Sequence, residues 1–327
     1  MSSDVTVKID LAKPVGSAGF GIPLIFSVGA AVDYTECTEL AEVKTAGFET
    51  TTNTYKAAEL MLSQNPRPET IAVMGVAAKD GVSAALSGIL NKSWRALVPI
   101  DIDAATLTTI AQAIEVTDDK LIFPVVADVS KLTALGTGER TIGFVHSNAL
   151  ANAALVGKTA AMTPGSFTYK NQILKGIDPM TYSDAQLKAI HDANGITFVE
   201  KAGDNVTSEG KTMSGEYVDI IDCKDWIINQ IIYRTQKLLN RVGKVPYDNT
   251  GIAMLEAECL TVLKEAASMG MIAFDTDTNQ YLYSVNYSLR EEQSDTDRVA
   301  RRYVGGAFTF ELAGAIHTVK VNGEISI

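Results

Sequence analysis

The stretch IAVMGVAAKDGVSAALSGILNKSWRALVPIDIDAATLTTIAQAIE, residues 71–115, decides the fold class. It begins with the continuous apolar run Ile71–Val76, which is typical of a strand covered on both faces. Apolar residues at helical spacing follow over 82–92, then a strand over 97–102 and a helix over 104–115 that Asp103 is placed to cap. Strands and helices that alternate in this way predict an α/β layer.

The same alternation continues on both sides of this stretch. Further strands are predicted over 24–28, 121–127 and 141–145, and further helices over 57–62 and 149–159. We therefore expect the α/β layer to extend from the first of these strands to the end of the last helix.

The pattern weakens after residue 165. A helix is predicted over 183–194, with Gly195 as the αL residue that stops it, and the glycine-rich stretch 203–215 is expected to form a hairpin or loop. A strong helix then begins at Asp222, and we place a domain boundary near residue 220.

The sequence pattern of the C-terminal part predicts an α+β domain. The helix that begins at Asp222 ends at Gly243, a second helix covers 250–269, and a third covers 297–302. The alternating residues of a strand follow, and the first helix carries one apolar stripe. The strand residues are Phe308, Phe310 and Leu312, and the stripe consists of Trp226, Ile227, Ile231, Leu238 and Val242.

The two ends of the chain each carry an alternating apolar pattern next to small residues. At the N-terminus the pattern is Val5, Val7 and Ile9, followed by a linker with Gly16 and Gly19. At the C-terminus Gly314 lies in a small-residue hinge, and a strand is predicted from His317. A single extended strand, rather than a hairpin at Asn322-Gly323, places four apolar residues on one face. These residues are Val319, Val321, Ile325 and Ile327.

An isolated strand is not stable in water without a partner, so we expect both ends to be arms that pair with other copies of the chain. The predicted organisation is an N-terminal arm and linker over 1–22, an α/β domain over 23–220, a C-terminal α+β domain over 221–312 and a C-terminal arm over 313–327. Head-to-tail donation of strands would build rings or helical filaments.

Composition excludes several classes of protein. The chain has 327 residues and a formal net charge of −11, which argues against a general nucleic-acid binder. Its three cysteines are too few and too far apart for a disulfide framework, and they fit a reducing cytoplasm. The uncharged run Pro14–Val32 is interrupted by glycines and by Pro23, so we expect no membrane insertion.

No catalytic, cofactor or metal site is predicted. The segment 152–159 ends like a phosphate-binding loop but has Asn152 in place of its first glycine. The three histidines have no serine or cysteine nucleophile in a recognisable motif, and Asp101 and Asp103 are explained by helix capping. The acidic stretch at 275–279 lacks the glycine and glutamate of a calcium loop and is expected to form a hairpin turn.

One charge pattern stands out against the acidic average. Four basic residues recur at spacings of three and four and therefore share one face of the helix that begins at Asp222. They could bind an acidic partner surface, or they could simply form a solvated helix face. These residues are Arg234, Lys237, Arg241 and Lys244.

The sequence resembles the sheath proteins of contractile phage tails, contractile injection systems and R-type bacteriocins. The N-terminal similarity includes Tyr55-Lys-Ala-Ala58 and Gln64-Asn-Pro-Arg-Pro68. The C-terminal similarity, which is the more specific, includes Gly243-Lys-Val-Pro-Tyr247, Asp297-Arg-Val-Ala-Arg-Arg302 and the run from Ala313 to Gly323. Together the similar segments cover about half of the chain, with little signature over 77–220.

The resemblance implies a structural protein and not an enzyme. Sheath subunits of this kind stack as hexameric rings around an inner tail tube, exchange terminal strands, and contract to drive the tube through a target envelope. It further implies contacts with baseplate and tail terminator proteins, a place in a virion tail, and assembly in a bacterial cytoplasm. The basic helix face becomes a candidate tube contact. The alternatives are a small-molecule-binding protein or enzyme on the α/β layer, and an inner tube or other assembly component.

Overall fold

The computed structural model describes residues 21–321. Its α/β part begins with the strands and helices that build and cover one sheet. They are β1 (Ile22–Val28), β2 (Val32–Cys37), α1 (Leu40–Ala46), α2 (Asn53–Leu62), β3 (Ile71–Val76), α3 (Val82–Ile89), β4 (Trp94–Ile100), α4 (Ala104–Glu115) and β5 (Leu121–Ile122).

A second group of elements builds a smaller sheet and leads to the C-terminal part. They are β6 (Val125–Val126), α5 (Val129–Thr133), β7 (Phe144–Val145), α6 (Ala151–Thr159), α7 (Asp184–Asp192), β8 (Ile196–Lys201) and β9 (Asp204–Thr207). The C-terminal part contains α8 (Val218–Val242), α9 (Asn249–Ser268), β10 (Phe274–Asp275), β11 (Gln280–Tyr281), β12 (Tyr283–Tyr287), α10 (Asp295–Val299) and β13 (Gly306–Phe310).

The main sheet has the strand order β2-β3-β1-β4-β5, in which only β2 is antiparallel to its neighbour. Its strands alternate between two apolar cores. Ile25, Val73 and Val98 face α1, α2 and α6, whereas Leu24, Ala72 and Leu97 face α3 and α4. The predicted α/β layer, with helices on both faces, is therefore confirmed.

The second sheet has the order β6-β7-β8-β9, with β9 antiparallel to β8. The sequence predicts one strand over 121–127, and here it is wrong. Pro124 separates β5 from β6, and the two short strands lie in different sheets. Proline has no N–H to donate and interrupts the ladder at this point. The segment thus connects the two sheets.

Several predicted boundaries also change. Strand β4 begins at Trp94, and α8 begins at Val218 instead of Asp222. The αL residue after α7 is Asn194, with φ of 59°, and not Gly195. Gly195 is required for another reason: a Cβ there would lie 2.5 Å from Leu132 Cδ2. By contrast, the helix over 104–115 and its Asp103 cap are confirmed, since the Asp103 side chain accepts a hydrogen bond from Thr106 N.

In the C-terminal part, α8 packs along α9, and the antiparallel pair β12–β13 covers them. Trp226 and Ile227 are buried in this core as predicted, but Val242 is exposed. The predicted turn at 275–279 is confirmed, because β10 and β11 pair across it. Residues 317–321 form no strand within the described chain.

Helix α8 belongs to both parts of the molecule. Val218 and Ile221 lie in the core beneath the main sheet, while Trp226 and Ile227 lie in the C-terminal core. The 25 residues of this helix therefore link the two cores without a break. The division of the chain near residue 220 stays a prediction.

Candidate assembly surfaces

The histidines occupy structural positions. His146 is buried, its Nε2 lies 3.0 Å from the Asp178 carbonyl oxygen, and burial lowers its pKa. His191 Nε2 lies 3.0 Å from Ser208 Oγ, and burial also lowers its pKa. In residues 21–321 no cluster of His, Cys, Asp or Glu is arranged to hold a metal ion.

The segment that resembles a phosphate loop is the buried helix α6. A Cβ on Gly157 would lie 2.5 Å from the Met61 carbonyl oxygen, so this glycine permits close packing of α6 on α2. Asn152 is fully buried, and its Nδ2 donates to the Phe123 carbonyl oxygen at 2.8 Å. Both residues serve packing and hydrogen bonding inside the fold. Within the described part of the chain, no helix has the length and apolar character needed to cross a bilayer.

Strands β12 and β13 form a small sheet with accessible edges. They pair over five residues, from Tyr283 opposite Phe310 to Tyr287 opposite Gly306. One face packs on the C-terminal core through Tyr283, Val285, Phe308 and Phe310. The described residues pair β12 and β13 only with each other along their full length. Each strand therefore presents a second edge where another extended segment can add.

The chain beyond Leu312 is held against the α/β part by His317. Gly314 has φ of 62°, a conformation that favours glycine, and its role as a hinge residue stays a prediction. His317 Nε2 lies 2.9 Å from Thr168 Oγ1, and Lys170 Nζ donates to the His317 carbonyl oxygen at 3.1 Å. Nδ1 lies 3.3 Å from the Glu209 carboxylate.

The charges around His317 are mutually compensating. Burial alone would raise the pKa of Glu209, but the Lys170 ammonium, the Gly210 N–H and His317 outweigh it, so the pKa lies below its usual range. Lys170 Nζ lies 3.6 Å from the Glu209 carboxylate. The segment is thus fixed at one point.

The apolar residues of this segment are not buried. Ile316, Val319 and Val321 are 86%, 75% and 85% exposed. The remaining predicted arm residues, Val5, Val7, Ile9, Gly16, Gly19, Ile325 and Ile327, lie outside the described residues. Their role as arms stays a prediction.

A buried charge cluster anchors α8 to the main sheet. Arg95 Nη2 lies 2.5 Å from Asp222 Oδ1, and Arg95 Nη1 lies 3.0 Å from Asp225 Oδ2. Arg140 forms a second ion pair with Asp225, and Tyr169 donates to Asp222 Oδ2 at 3.0 Å. Burial raises the pKa of Asp222, and Arg95 opposes the rise through its charge and hydrogen bonds.

The predicted basic face of α8 is partly neutralised within the chain. Arg234 pairs with Glu265 of α9, and Arg241 Nη2 lies 3.7 Å from Glu258. Lys237 is exposed, and its ammonium lies 4.9 Å from the Tyr233 ring centroid. Lys244 follows the helix and is also exposed. Arg234, Lys237 and Arg241 line one groove, and Lys237, Arg241 and Lys244 are the most accessible of the four residues.

A second apolar face of α8 was missed from the sequence. Five uncharged residues spaced four, three, four and three apart share a second side of α8, and four of them are large, exposed apolar side chains. The signal was present in the doubled pairs Ile227-Ile228 and Ile231-Ile232, which give the helix one apolar residue for each of two faces. The residues of this face are Ile228, Ile232, Thr235, Leu239 and Val242.

Comparison with known proteins gives a match in the C-terminal region. Residues 218–325 match the family model described as E217 tail sheath protein gp31-like, C-terminal domain. The comparison with curated proteins finds no match.

Several solved structures share the fold over nearly the whole chain. The contracted helical sheath of the anti-feeding prophage is 12% identical with a TM-score of 0.74, covering 99% of both chains. The contracted sheath of the PVC extracellular contractile injection system is 9% identical with a TM-score of 0.73, covering 99% of this chain and 98% of that one. A sheath tail protein from Listeria innocua is 9% identical with a TM-score of 0.64, covering 83% and 91%. The resemblance to contractile tail sheath proteins is therefore confirmed.

Proposed function

We propose that this chain is a structural subunit of a contractile tail sheath, with no catalytic role. The observation that carries the proposal is the sheath-family match over 218–325, in the same region where the small sheet β12–β13 has accessible edges. The sheath fold over the rest of the chain supports it.

In the proposed assembly, subunits form hexameric rings that stack helically around an inner tail tube. The arm residues Val5, Val7 and Ile9 of one subunit, and Val319 and Val321 of another, add strands to the β12–β13 sheet of a neighbour. Backbone hydrogen bonds would provide affinity, and the alternating apolar residues would fix the register. The exposure of Val319 and Val321 supports this role, because pairing would bury them.

The assembly would contract and drive the tube through a target envelope. Its partners would be other copies of the chain, the inner tube protein, and baseplate and tail terminator proteins. A related anti-feeding prophage chain was solved as part of a baseplate. The proposed location is a virion tail or injection system assembled in the host bacterial cytoplasm, without binding to nucleic acid or insertion into a membrane.

The tube contact is proposed for the accessible part of the basic face. Lys237, Arg241 and Lys244 would bind an acidic tube surface, whereas Arg234 is largely engaged by Glu265. Charge reversal of Lys237 and Lys244 should therefore weaken tube binding more than charge reversal of Arg234. Co-sedimentation with the tube protein at two salt concentrations would measure the difference.

Electron microscopy of the purified chain tests the central proposal. The full chain should form rods or rings, and variants that lack residues 2–10 or 319–327 should remain folded but unassembled. Circular dichroism provides the control for folding. Rods formed by either truncated variant would contradict strand exchange, and a monodisperse full-length monomer that turns over a small molecule would contradict the structural role.

A further inference from the structure

The last part of the described chain, residues 313–321, crosses from the C-terminal part to the α/β part, and we call it the strap. Ala313 N donates to the Met271 carbonyl oxygen at 2.9 Å, and no backbone-to-backbone hydrogen bond of the described residues follows it along the chain. All residues of the strap except His317 are exposed. The strap is therefore attached to the α/β part through a single residue.

His317 lies in a socket on the α/β part, and only 9% of its side chain is exposed. Thr168 and Glu209 contact its two ring nitrogens, and Lys170 donates to its carbonyl oxygen. Tyr217 packs edge to face against the imidazole, with the ring centroids 4.7 Å apart. The socket thus holds this residue through its ring, both of its ring nitrogens and its backbone.

The contact is specific, but it is not fully satisfied. His317 Nδ1 is buried and makes no hydrogen bond, although it lies 3.3 Å from the Glu209 carboxylate. Asp219 Oδ1, which belongs to a carboxylate that interacts with His317 through its charge, is also buried without a hydrogen bond. A buried polar atom without a partner lowers the net stability of the structure that buries it. Because Nδ1 regains a hydrogen bond to water when His317 leaves, release of the strap is partly compensated.

The docked strap leaves its apolar side chains in water. Ile316, Val319 and Val321 are all strongly exposed, and the two valines are two residues apart, as on one face of a strand. Addition to a sheet edge would bury these valines and pair the backbone N–H and C=O groups beside them. The socket therefore offers the strap one contact, whereas a sheet edge offers both backbone and apolar contacts.

We propose that the contact of His317 with its socket is autoinhibitory: it holds the strap on its own subunit and keeps Val319 and Val321 from the sheet edge of another copy. This role rests on the proposed function, in which these valines add a strand to a neighbour. An accessible edge on a growing assembly would compete with the socket for the strap. A lone subunit would keep its strap docked, so subunits would join an existing assembly more readily than they start a new one.

Release also changes how far the strap can reach. While His317 is docked, the four residues 318–321 extend about 13 Å from the socket. After release, the eight residues 314–321 extend about 26 Å from the C-terminal core. The described part of the strap thus reaches twice as far once the contact has opened, and its direction is no longer set by the socket.

Fluorescence anisotropy of the dilute full chain measures docking before any assembly. Lys320→Cys provides a labelling site on the exposed strap, while the three native cysteines are buried. We expect high anisotropy in this background, and a fall towards that of a mobile segment in His317→Ala and in Thr168→Val. Thr163→Val is the matched control, the same substitution at an exposed position nearby, and should leave the anisotropy unchanged.

The critical concentration for rods or rings, measured on unlabelled chains by sedimentation and electron microscopy, tests the inhibition itself. Thr168→Val alters the socket and leaves the strap sequence intact, so it separates release from any change in strand pairing. It should lower the critical concentration about fivefold, because the apparent affinity of assembly scales with the fraction of released straps and one hydrogen bond is lost. Thr163→Val should leave the critical concentration unchanged, and circular dichroism provides the control for folding.

The possible outcomes separate this role from the sheath function. Anisotropy as low in the Lys320→Cys background as in His317→Ala would show that the strap is not docked and would overturn the proposal. A released strap with an unchanged or raised critical concentration would also overturn it, but the parent chain would still assemble and the sheath function would stand. No rods or rings from any chain at any concentration would contradict the sheath function, and the inhibitory role with it, even if the anisotropy shows docking.

Discussion

The α/β part, residues 21–217, buries nearly all of its large apolar side chains. The C-terminal part, residues 218–321, leaves many of them exposed. Residues 21–321 contain fourteen large apolar side chains that are strongly exposed, and only Val116 and Ile173 belong to the α/β part. The other twelve lie in the C-terminal part, although it is about half as long. Exposed apolar surface of this kind is typical of binding sites. We therefore expect the C-terminal part, and not the α/β part, to provide most of the contacts with other molecules.

The largest expected effect is at the junction of the two parts. Arg95→Ala would leave Asp222 buried without its main partner and weaken the position of Asp225, so the free energy of unfolding should fall by about 3–5 kcal/mol. Urea denaturation would measure it. The control Lys188→Ala removes an exposed pair with Asp192 and should change stability by less than about 0.5 kcal/mol. Equal effects would contradict the anchoring role of Arg95.

A matched pair of leucines compares the two cores directly. Leu97 in β4 is fully buried, whereas Leu312 after β13 is only partly buried. Leu97→Ala should lower the free energy of unfolding by about 2–5 kcal/mol, and Leu312→Ala by about 1 kcal/mol, because less surface is lost. Thermal or urea unfolding of the two variants, side by side, would measure the ratio. A larger loss of unfolding free energy for Leu312→Ala than for Leu97→Ala would contradict this difference between the two cores.

The pH dependence tests the ionic contact of Glu209 with Lys170 and His317, which lies where the C-terminal segment meets the α/β part. Since the folded-state pKa of Glu209 is lowered, its carboxylate stabilises the fold above its ordinary pKa of about 4.5, and this contribution disappears as the pH falls through the lowered value. Glu209→Gln should therefore reduce the loss of melting temperature between pH 7 and pH 3.5. An identical pH profile for the variant and the parent chain would show that this contact does not contribute.

The smallest effect on stability is expected for a substitution in the second apolar face of α8. Ile232 is 64% exposed, so Ile232→Asp should change the free energy of unfolding by less than about 0.5 kcal/mol, yet it should reduce assembly into rods. Val116→Asp is the matched control in the α/β part, where the side chain is 84% exposed. If both variants assemble normally, the exposed face is not an assembly surface.

Local patterns predicted the elements whose structure depends on local physics. The continuous run Ile71–Val76 identified a strand buried on both faces, and Asp103 identified the start of α4. The sequence did not predict the features that depend on contacts between residues far apart in the chain. The pairing of Arg95 with Asp222 joins positions 127 residues apart, and no spacing in the sequence reveals it.

The sequence predicted the candidate surfaces only in part, again because residues far apart in the chain determine their structure. Of the four basic residues predicted to share a helix face, Lys244 lies beyond the end of α8, and the pairing of Arg234 and Arg241 with Glu258 and Glu265 depends on how α9 packs. Strand β8 was missed although its first four residues, Ile-Thr-Phe-Val, are strand-forming types. Its pairing with β7 and β9 is visible only in the structure. Residues 317–321 alternate like a strand, yet a strand also requires a partner, and the described chain supplies none.

Helix α8 has a mechanical consequence. Its 25 residues form a rod about 37 Å long that is clamped by ion pairs at one end and extends through the C-terminal part at the other. A tilt of about 10° at the clamped end would displace the far end by about 6 Å. The helix can therefore act as a lever arm, which converts a small rotation of the α/β part into a large translation of Lys244 and of whatever surface it touches.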